Sequence, residues 1–527
     1  MLRRIFNMAK TISRRQFLKG AIATSAAAIA ATSLGSVAAL ADGETQSFDQ
    51  EYDVVVIGRG FAGCSAAIEA AKAGGKVLML EKSPQSAAGG NSRVCGQQIL
   101  DPTDVDRAVA YLGRIQGGFD YDEDLVRATV AEMCENGNWL HENIDPDMDL
   151  QELMYPEFPE VEDSDTMRCW LIDGERSVGK LLGLLMPKIE ATDNITVMYE
   201  APAKELIQDK ETKEIQGVVV VIDGKETRVK ANNGVVMAIG GYEANMKMLQ
   251  QYCHFQYARP KGSTYNTGDG VVMAMKVGAD LWHMDNPSGP DLNFYDPETR
   301  MGYFTYSLAM TLGSWTCVFV GPDGTRFIDE ATMSRHGKMY THGIYQTPMT
   351  VLPAYAVFDD AAFHTGKICS AAWSDDNTAE LEKGWIKKAD TLEELAEIIN
   401  VPAENLVKTI GRFNFYCEQG EDYECGRPAR TLNPISESGP YYAMELTPTL
   451  TNTQGGAVRN ANCEVVDLDG FAIPHLYSAG EFGSMYAHGY NGGGNVGEAL
   501  ATGRIAGRNA AIADKSQIPT ISTGYSD

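Results

Sequence analysis

The chain runs to 527 residues and 57.3 kDa, long enough for two domains. Its formal charge of −27 and isoelectric point near 4.7 argue against nucleic acid or an anionic membrane surface as a partner. Ten cysteines stand singly between Cys64 and Cys463, with no CxxC pair, haem-attachment motif or clustered ligand set, so neither a disulfide framework nor a metal or haem centre is indicated.

Ser13-Arg14-Arg15-Gln16-Phe17-Leu18-Lys19 precedes an Ala-rich run from Gly20 to Leu40, and Ala39-Leu40-Ala41 offers a cleavage site. This is the pattern of a twin-arginine export signal over residues 1–41, a route that carries folded proteins. The run is too rich in Ala, Ser and Thr for a membrane anchor. No later stretch is long and apolar enough to span a bilayer. The mature chain is therefore expected to be periplasmic or otherwise extracytoplasmic, soluble or peripherally associated, with no transmembrane span.

A buried-strand pattern, Tyr52 to Ile57, leads into Gly58-Arg59-Gly60-Phe61-Ala62-Gly63 and an Ala-rich helix from Gly63 to Ala73. In such a G-x-G-x-x-G turn Gly58 makes the tight bend. Gly60 lets backbone approach a pyrophosphate, and Gly63 lets helix and strand pack closely. Glu81 ends the next apolar run, roughly 18 residues past Gly63, where a carboxylate can accept from ribose hydroxyls. Lys82 and a second glycine-rich loop, Gly89-Gly90-Asn91-Ser92 with Gly96 beyond it, fit a flavin followed from phosphates to ring better than a transient nicotinamide.

Strands Ile195 to Ile207 (with Ala203 near the middle), Ile215 to Ile222 and Glu226 to Val229 are expected to form a small antiparallel meander. Val235 to Gly241, including Ala238 and Gly240, reads as a buried strand ending in glycines, and Thr267-Gly268-Asp269-Gly270 opens a helix through Ala279. Residues 286–448 differ, with Gly/Pro-rich loops followed by two amphipathic helices, Thr391 to Ile399 and Ala403 to Gln419. Tyr477-Ser478-Ala479-Gly480-Glu481 then leads to Gly492-Gly493-Gly494-Asn495-Val496 and a helix to about Ala510. The free N–H groups of that helix start favour negative charge, such as a reduced flavin carries near N1 and the C2 carbonyl.

These pieces, with Gly324-Thr325-Arg326-Phe327-Ile328-Asp329-Glu330, resemble in order and spacing the flavoprotein family of fumarate reductase and succinate dehydrogenase. The nearer branch holds soluble fumarate reductases, urocanate reductases and 3-ketosteroid dehydrogenases. The resemblance implies an α/β fold. Its Rossmann-like FAD-binding domain is formed from both ends of the chain (50–285 and 449–515), with an inserted α+β capping domain (286–448). The glycines and polar residues named above, together with Glu481, Gly494, Asn495 and Val496, are the implied FAD contacts. Covalent attachment in the family uses a histidine near the Gly90-Asn91 loop; no histidine precedes His141 here, so FAD is expected to be non-covalent.

In fumarate reductases a cap arginine gives a proton to the alkene, while histidines, a threonine and another arginine hold two carboxylates. Arg335 is the implied proton donor or orienting cation, one residue beyond the family spacing; a surface arginine flanked by Ser334 and His336 is the alternative. Asn286-Pro287 stands where the family has His-Pro, Asn452-Thr453-Gln454-Gly455-Gly456 where it has a histidine before the glycines, and no arginine lies between Gly480 and Gly503. A dicarboxylate desolvated without cationic partners costs several kcal/mol per charge, which argues against fumarate.

Tyr490, four residues before Gly494, is similar in spacing to the tyrosine and glycine that bind the ketone oxygen in 3-ketosteroid dehydrogenases. Packing on the flavin ring is the other reading of Tyr490, and a loop hydrogen bond is the plainer reading of His488. The expected function is reduction of an activated C=C bond in a small enone, aryl enoate or steroid-like acceptor, with electrons from a separate cytochrome or flavin carrier. The alternatives are a 3-ketosteroid-type dehydrogenase running the other way and a flavin redox carrier without small-molecule chemistry. Acidity would suit a basic electron donor, and equally plain solubility.

Overall fold

The computed structural model describes residues 47–119, 122–176, 178–303, 317–330, 336, 339–341, 344–346, 351–369 and 373–518. The export signal and Arg335 lie outside these residues. The chain divides into two units, Met1–Ser47 and Phe48–Asp527, and the strands and helices of the described residues lie in the second.

The first strand, Gln50–Ile57, is central in an eight-stranded sheet, and Val54, Val55 and Val56 are wholly buried. A strand covered on both faces reads as a continuous apolar run, which is why β-branched valines fill it. It pairs in parallel with Val77–Leu80 on one side and with Lys225–Met237 on the other; Ile195–Met198 extends the sheet beyond Val77–Leu80. Ala472–Ser478, from the far end of the chain, adds in parallel to Lys225–Met237. Alternate residues feed two cores. Val54, Val56, Val77 and Val236 face the helix Phe61–Lys72, while Val55, Ile57, Leu78 and Val235 face the other side.

The helix Phe61–Lys72 is covered by the C-terminal helix Gly494–Ala511. A Cβ on Gly503 would stand 2.1 Å from Ser65 Oγ, and one on Gly507 2.3 Å from Ala66 O, so the two helices meet backbone to backbone. Arg504 then ties the C-terminal helix to Glu132 and Asn136.

The structure corrects two sequence expectations. Ile195 to Ile207 is not one meander strand: Ile195–Met198 joins the parallel sheet, and only Ala203–Gln208 pairs with Ile215–Ile222. The expected strands Glu226–Val229 and Val235–Gly241 are one 13-residue strand, Lys225–Met237, whose first half serves the meander and whose second half serves the parallel sheet.

The intervening region is built around a second sheet of seven strands. Its axis is Tyr441–Leu450, antiparallel to Ala354–Asp359, Ile386–Ala389 and Asp291–Asp296 and parallel to Arg259–Pro260. The expected helices are present as Leu392–Ile398 and Ala403–Gln419, and they cover one face through Leu395, Leu406, Ile410 and Phe413. Partners of the axial strand lie far from it in sequence, as Arg259 does from Thr449 and Asp291 from Thr449, so no local period marked the pairing. Inside this region Arg326 is fully buried and bonded to both oxygens of Glu330 and to Asp422, so the Arg326–Glu330 segment is a fixed internal strut.

Candidate functional site

A cavity of about 1340 Å³ is lined by both sheets. Gly58, with φ +105°, makes the turn after the first strand; a Cβ there would lie 2.1 Å from Ala238 O. No side chain fits. Gly60 and Ala62 line the cavity, whereas Gly63 lies beneath them, its Cβ position 2.0 Å from Gly58 O. The helix that starts there has no side-chain cap, though Ser92 Oγ accepts the Phe61 N–H at 3.0 Å. Its remaining end dipole is directed at whatever anion sits above Gly60.

Glu81, Lys82, Gly89, Gly90, Asn91, Ser92 and Gly96 continue the wall, and Ala203, Ala238, Gly240 and Asp269 form the opposite side. Glu81 Oε1 accepts from Ser83 N at 2.8 Å, which holds the carboxylate in place. Lys82 Nζ reaches Thr267 Oγ1 and Asp269 Oδ2, each at 2.7 Å, so the first loop and the Asp269–Lys276 helix are joined across the cavity edge. Glu481, Asn495 and Val496 arrive from the C-terminal segment. The two ends of the chain thus meet at one cavity.

Gly494 departs from expectation. It does not line the cavity, and its N–H donates to Asn491 O at 2.9 Å, because Gly493 caps the helix in a left-handed conformation and turns that N–H back on the loop. The N–H beside Tyr490 belongs to Asn495, which donates to Tyr490 Oη at 3.3 Å.

A group of two phosphates, a ribose and a flat ring system suits these walls. Arg59 Nε, Ser83 Oγ, Gln98 Nε2 and Ser288 Oγ are buried without hydrogen-bond partners, and all four residues line the cavity. Buried polar atoms in native structures are nearly always paired, so four orphans around one space are the mark of a ligand's polar groups.

Glu243 was not singled out from the sequence. It is buried, and accepts from Asn266 Nδ2 at 2.6 Å and from Asn91 Nδ2 at 2.8 Å. The same Asn91 Nδ2 lies 3.2 Å from Glu481 Oε2, so one amide serves two carboxyl groups. Burial pushes both glutamates above the usual carboxylate range, and their mutual repulsion raises Glu481 further. Its place after Gly240-Gly241-Tyr242 was the only signal available.

At the cavity end nearest Asn495, Tyr490 is buried and burial holds its phenol well above its ordinary pKa. The His336 ring meets it edge-on, centroids 4.2 Å apart. His336 Nδ1 is 2.5 Å from Glu157 Oε1, and Glu157 Oε2 accepts from Gly492 N at 2.7 Å. Glu157 had no sequence signal, and His336 had entered only as a neighbour of Arg335. The amides at 286 and 454 are fully buried and do not line the cavity: Asn286 Nδ2 donates to Gln454 Oε1 at 2.7 Å, and Gln454 Nε2 to Asn495 Oδ1 at 2.8 Å. They orient Asn495. His488 lies against Phe119 with ring planes tilted by 46° and faces Asp285; it does not line the cavity.

Residues 53–496 match a family described as the FAD binding domain, and residues 11–35 match the twin-arginine translocation pathway signal sequence. The chain is 29% identical over 476 residues to a probable fumarate reductase of Shewanella frigidimarina, covering 87% of this chain and 74% of that one. It is 28% identical over 487 residues to the urocanate reductase of Eggerthella lenta, covering 88% and 75%. The crystal structure of 3-ketosteroid delta1-dehydrogenase from Sterolibacterium denitrificans has the same fold, with a TM-score of 0.73 at 22% identity over 88% of this chain and 99% of that one.

Proposed function

This chain belongs to the FAD binding domain family and is an FAD-dependent oxidoreductase exported by the twin-arginine route; on that premise we propose that it reduces an activated C=C bond in a neutral or singly charged organic acceptor. FAD held by these residues would supply two-electron hydride chemistry, its electrons coming from a separate carrier protein, a cytochrome or a flavoprotein. The FAD is held without a covalent bond, since the Gly89–Ser92 loop has no histidine. Residues 50–285 and 449–515 hold it, and 286–448 form the cap.

The observation that carries the acceptor class is the charge inventory of the cavity. Among the described lining residues, Arg59 is paired with Glu190, Lys82 with Asp269 and Lys261 with Asp291, and Arg176 is the arginine with no carboxylate against it. A dicarboxylate needs two such cations once it leaves water. Tyr490 supports an acceptor with a carbonyl: its Oη takes the Asn495 N–H, so its own hydrogen is left for a ligand oxygen, and a polarised carbonyl makes the β-carbon of an enone accept hydride. The same phenol would serve the reverse reaction, desaturation beside a ketone.

The test is turnover with reduced viologen dye and a panel of fumarate, urocanate, cinnamates and enone steroids. Dye reoxidation with cinnamates or enones, and little with fumarate, is expected. Rapid fumarate turnover overturns the acceptor class, and activity only on saturated ketosteroids with an added oxidant reverses the direction.

A further inference from the structure

We propose that His336, oriented by Glu157, is the acid that protonates the acceptor, an inference that rests on the reading of the chain as a C=C reductase. His336 lines the same cavity as the flavin cradle and Tyr490. Three contacts fix it. Its backbone carbonyl accepts from Gly289 N at 2.8 Å, its Nδ1 is 2.5 Å from Glu157 Oε1, and its ring abuts Tyr490. Its φ of +50° is an unfavourable conformation for a residue with a Cβ, and such strain persists only where surrounding contacts impose it. Glu157 is fixed as firmly, with Oε2 on Gly492 N and its backbone N–H on Asn491 Oδ1 at 3.0 Å. The pair therefore joins the loop after strand Leu150–Met154, the cap and the Tyr490–Gly492 turn at one point.

A carboxylate that accepts from Nδ1–H stabilises the imidazolium and sets the tautomer, leaving Nε2–H as the donor. In the reduction, one alkene carbon gains hydrogen and two electrons from the reduced cofactor, while Tyr490 donates to the carbonyl oxygen. The neighbouring carbon takes its proton from His336 Nε2. One N–H bond breaks, one C–H bond forms, and the neutral imidazole regains a proton from solvent. Glu157 is a positioning residue; it touches no reacting atom.

The experiment uses full-length FAD-loaded enzyme, reduced anaerobically and mixed with the alkene that wild type consumes fastest. His336→Gly suits the positive φ and leaves space for a small base. It is expected to slow flavin reoxidation by about 10²–10⁴-fold, to be restored by added imidazole, and to leave flavin reduction by dye unchanged. A rate equal to wild type, or a loss that imidazole does not restore, overturns the proposal. The tautomer of the His336 ring, followed by nitrogen NMR in resting enzyme without acceptor, is read separately. The titratable side chains recorded against its ring among the described residues are Glu157 and Tyr490. Glu157→Leu removes the acceptor of Nδ1–H, so the ring should lose its preference for the Nδ1–H tautomer and flavin reoxidation by the alkene should slow; an unchanged tautomer overturns the pairing. If no alkene reoxidises wild type, the C=C reductase reading fails and this role for His336 fails with it. The tautomer then still reports whether Glu157 holds His336 Nδ1–H.

Discussion

Tyr490 and Gly58 show how much a single side chain, or its lack, decides. Tyr490 stays protonated because burial disfavours its phenolate, and it gives its lone pair rather than its hydrogen to Asn495. Tyr490→Phe is expected to lower kcat/KM for the acceptor by about 10²–10³-fold, as loss of one oxyanion donor does, while the bound flavin's spectrum stays intact. An unchanged kcat/KM in steady-state assay would assign Tyr490 to packing. Gly58→Ala forces a Cβ into Ala238 O at positive φ, so the variant should purify without yellow colour even when FAD is added. Gly58 and Glu81 were legible because the turn and the acid lie within one βαβ stretch. Glu157 and His336 were not, because they meet across 179 residues of sequence and neither belongs to a local pattern.

Between elements, the C-terminal helix is the piece that closes the fold. Arg459 Nη2 and Glu498 Oε1 form a buried pair at 2.5 Å, with Arg459 Nη1 also on Gly480 O. The pair holds the Gly480 turn against the helix that presents Asn495 and Val496. Glu498→Ala leaves the guanidinium buried without its anion, which typically costs about 3–5 kcal/mol. Urea unfolding should show a loss of that size; a loss below about 1 kcal/mol would mean that water or a neighbour takes over the charge. The first strand, first helix and last helix could be read from sequence, since each has its own period and its own glycines. The seven-stranded sheet could not. Its axial strand Tyr441–Leu450 changes partner along its length, from Ala354–Asp359 to Asp291–Asp296, and an antiparallel partner chosen by tertiary contact leaves no mark in a short window.

For the molecule as a whole, the cradle holds two carboxyl groups, Glu243 and Glu481, that share Asn91. Both are raised by burial, so the folded chain keeps protons that the unfolded chain sheds. Below the ordinary glutamate pKa neither state is penalised. As pH rises through the folded values, the stability held by the neutral forms is lost. Cofactor-free protein should therefore melt at lower temperature at about pH 8 than at about pH 5, and Glu243→Gln should reduce that difference. An equal pH dependence in the variant would remove Glu243 from the account. Among the described residues no helix is long and apolar enough to cross a membrane, and the twin-arginine signal takes the chain out through the export route for folded proteins.

The most direct measurement mixes the anaerobically reduced, FAD-loaded protein with one alkene at a time and follows the return of the flavin's visible band. The account predicts rapid reoxidation by an enone or aryl enoate and slow reoxidation by fumarate. A protein that retains no flavin, or a flavin reoxidised fastest by fumarate, would contradict it.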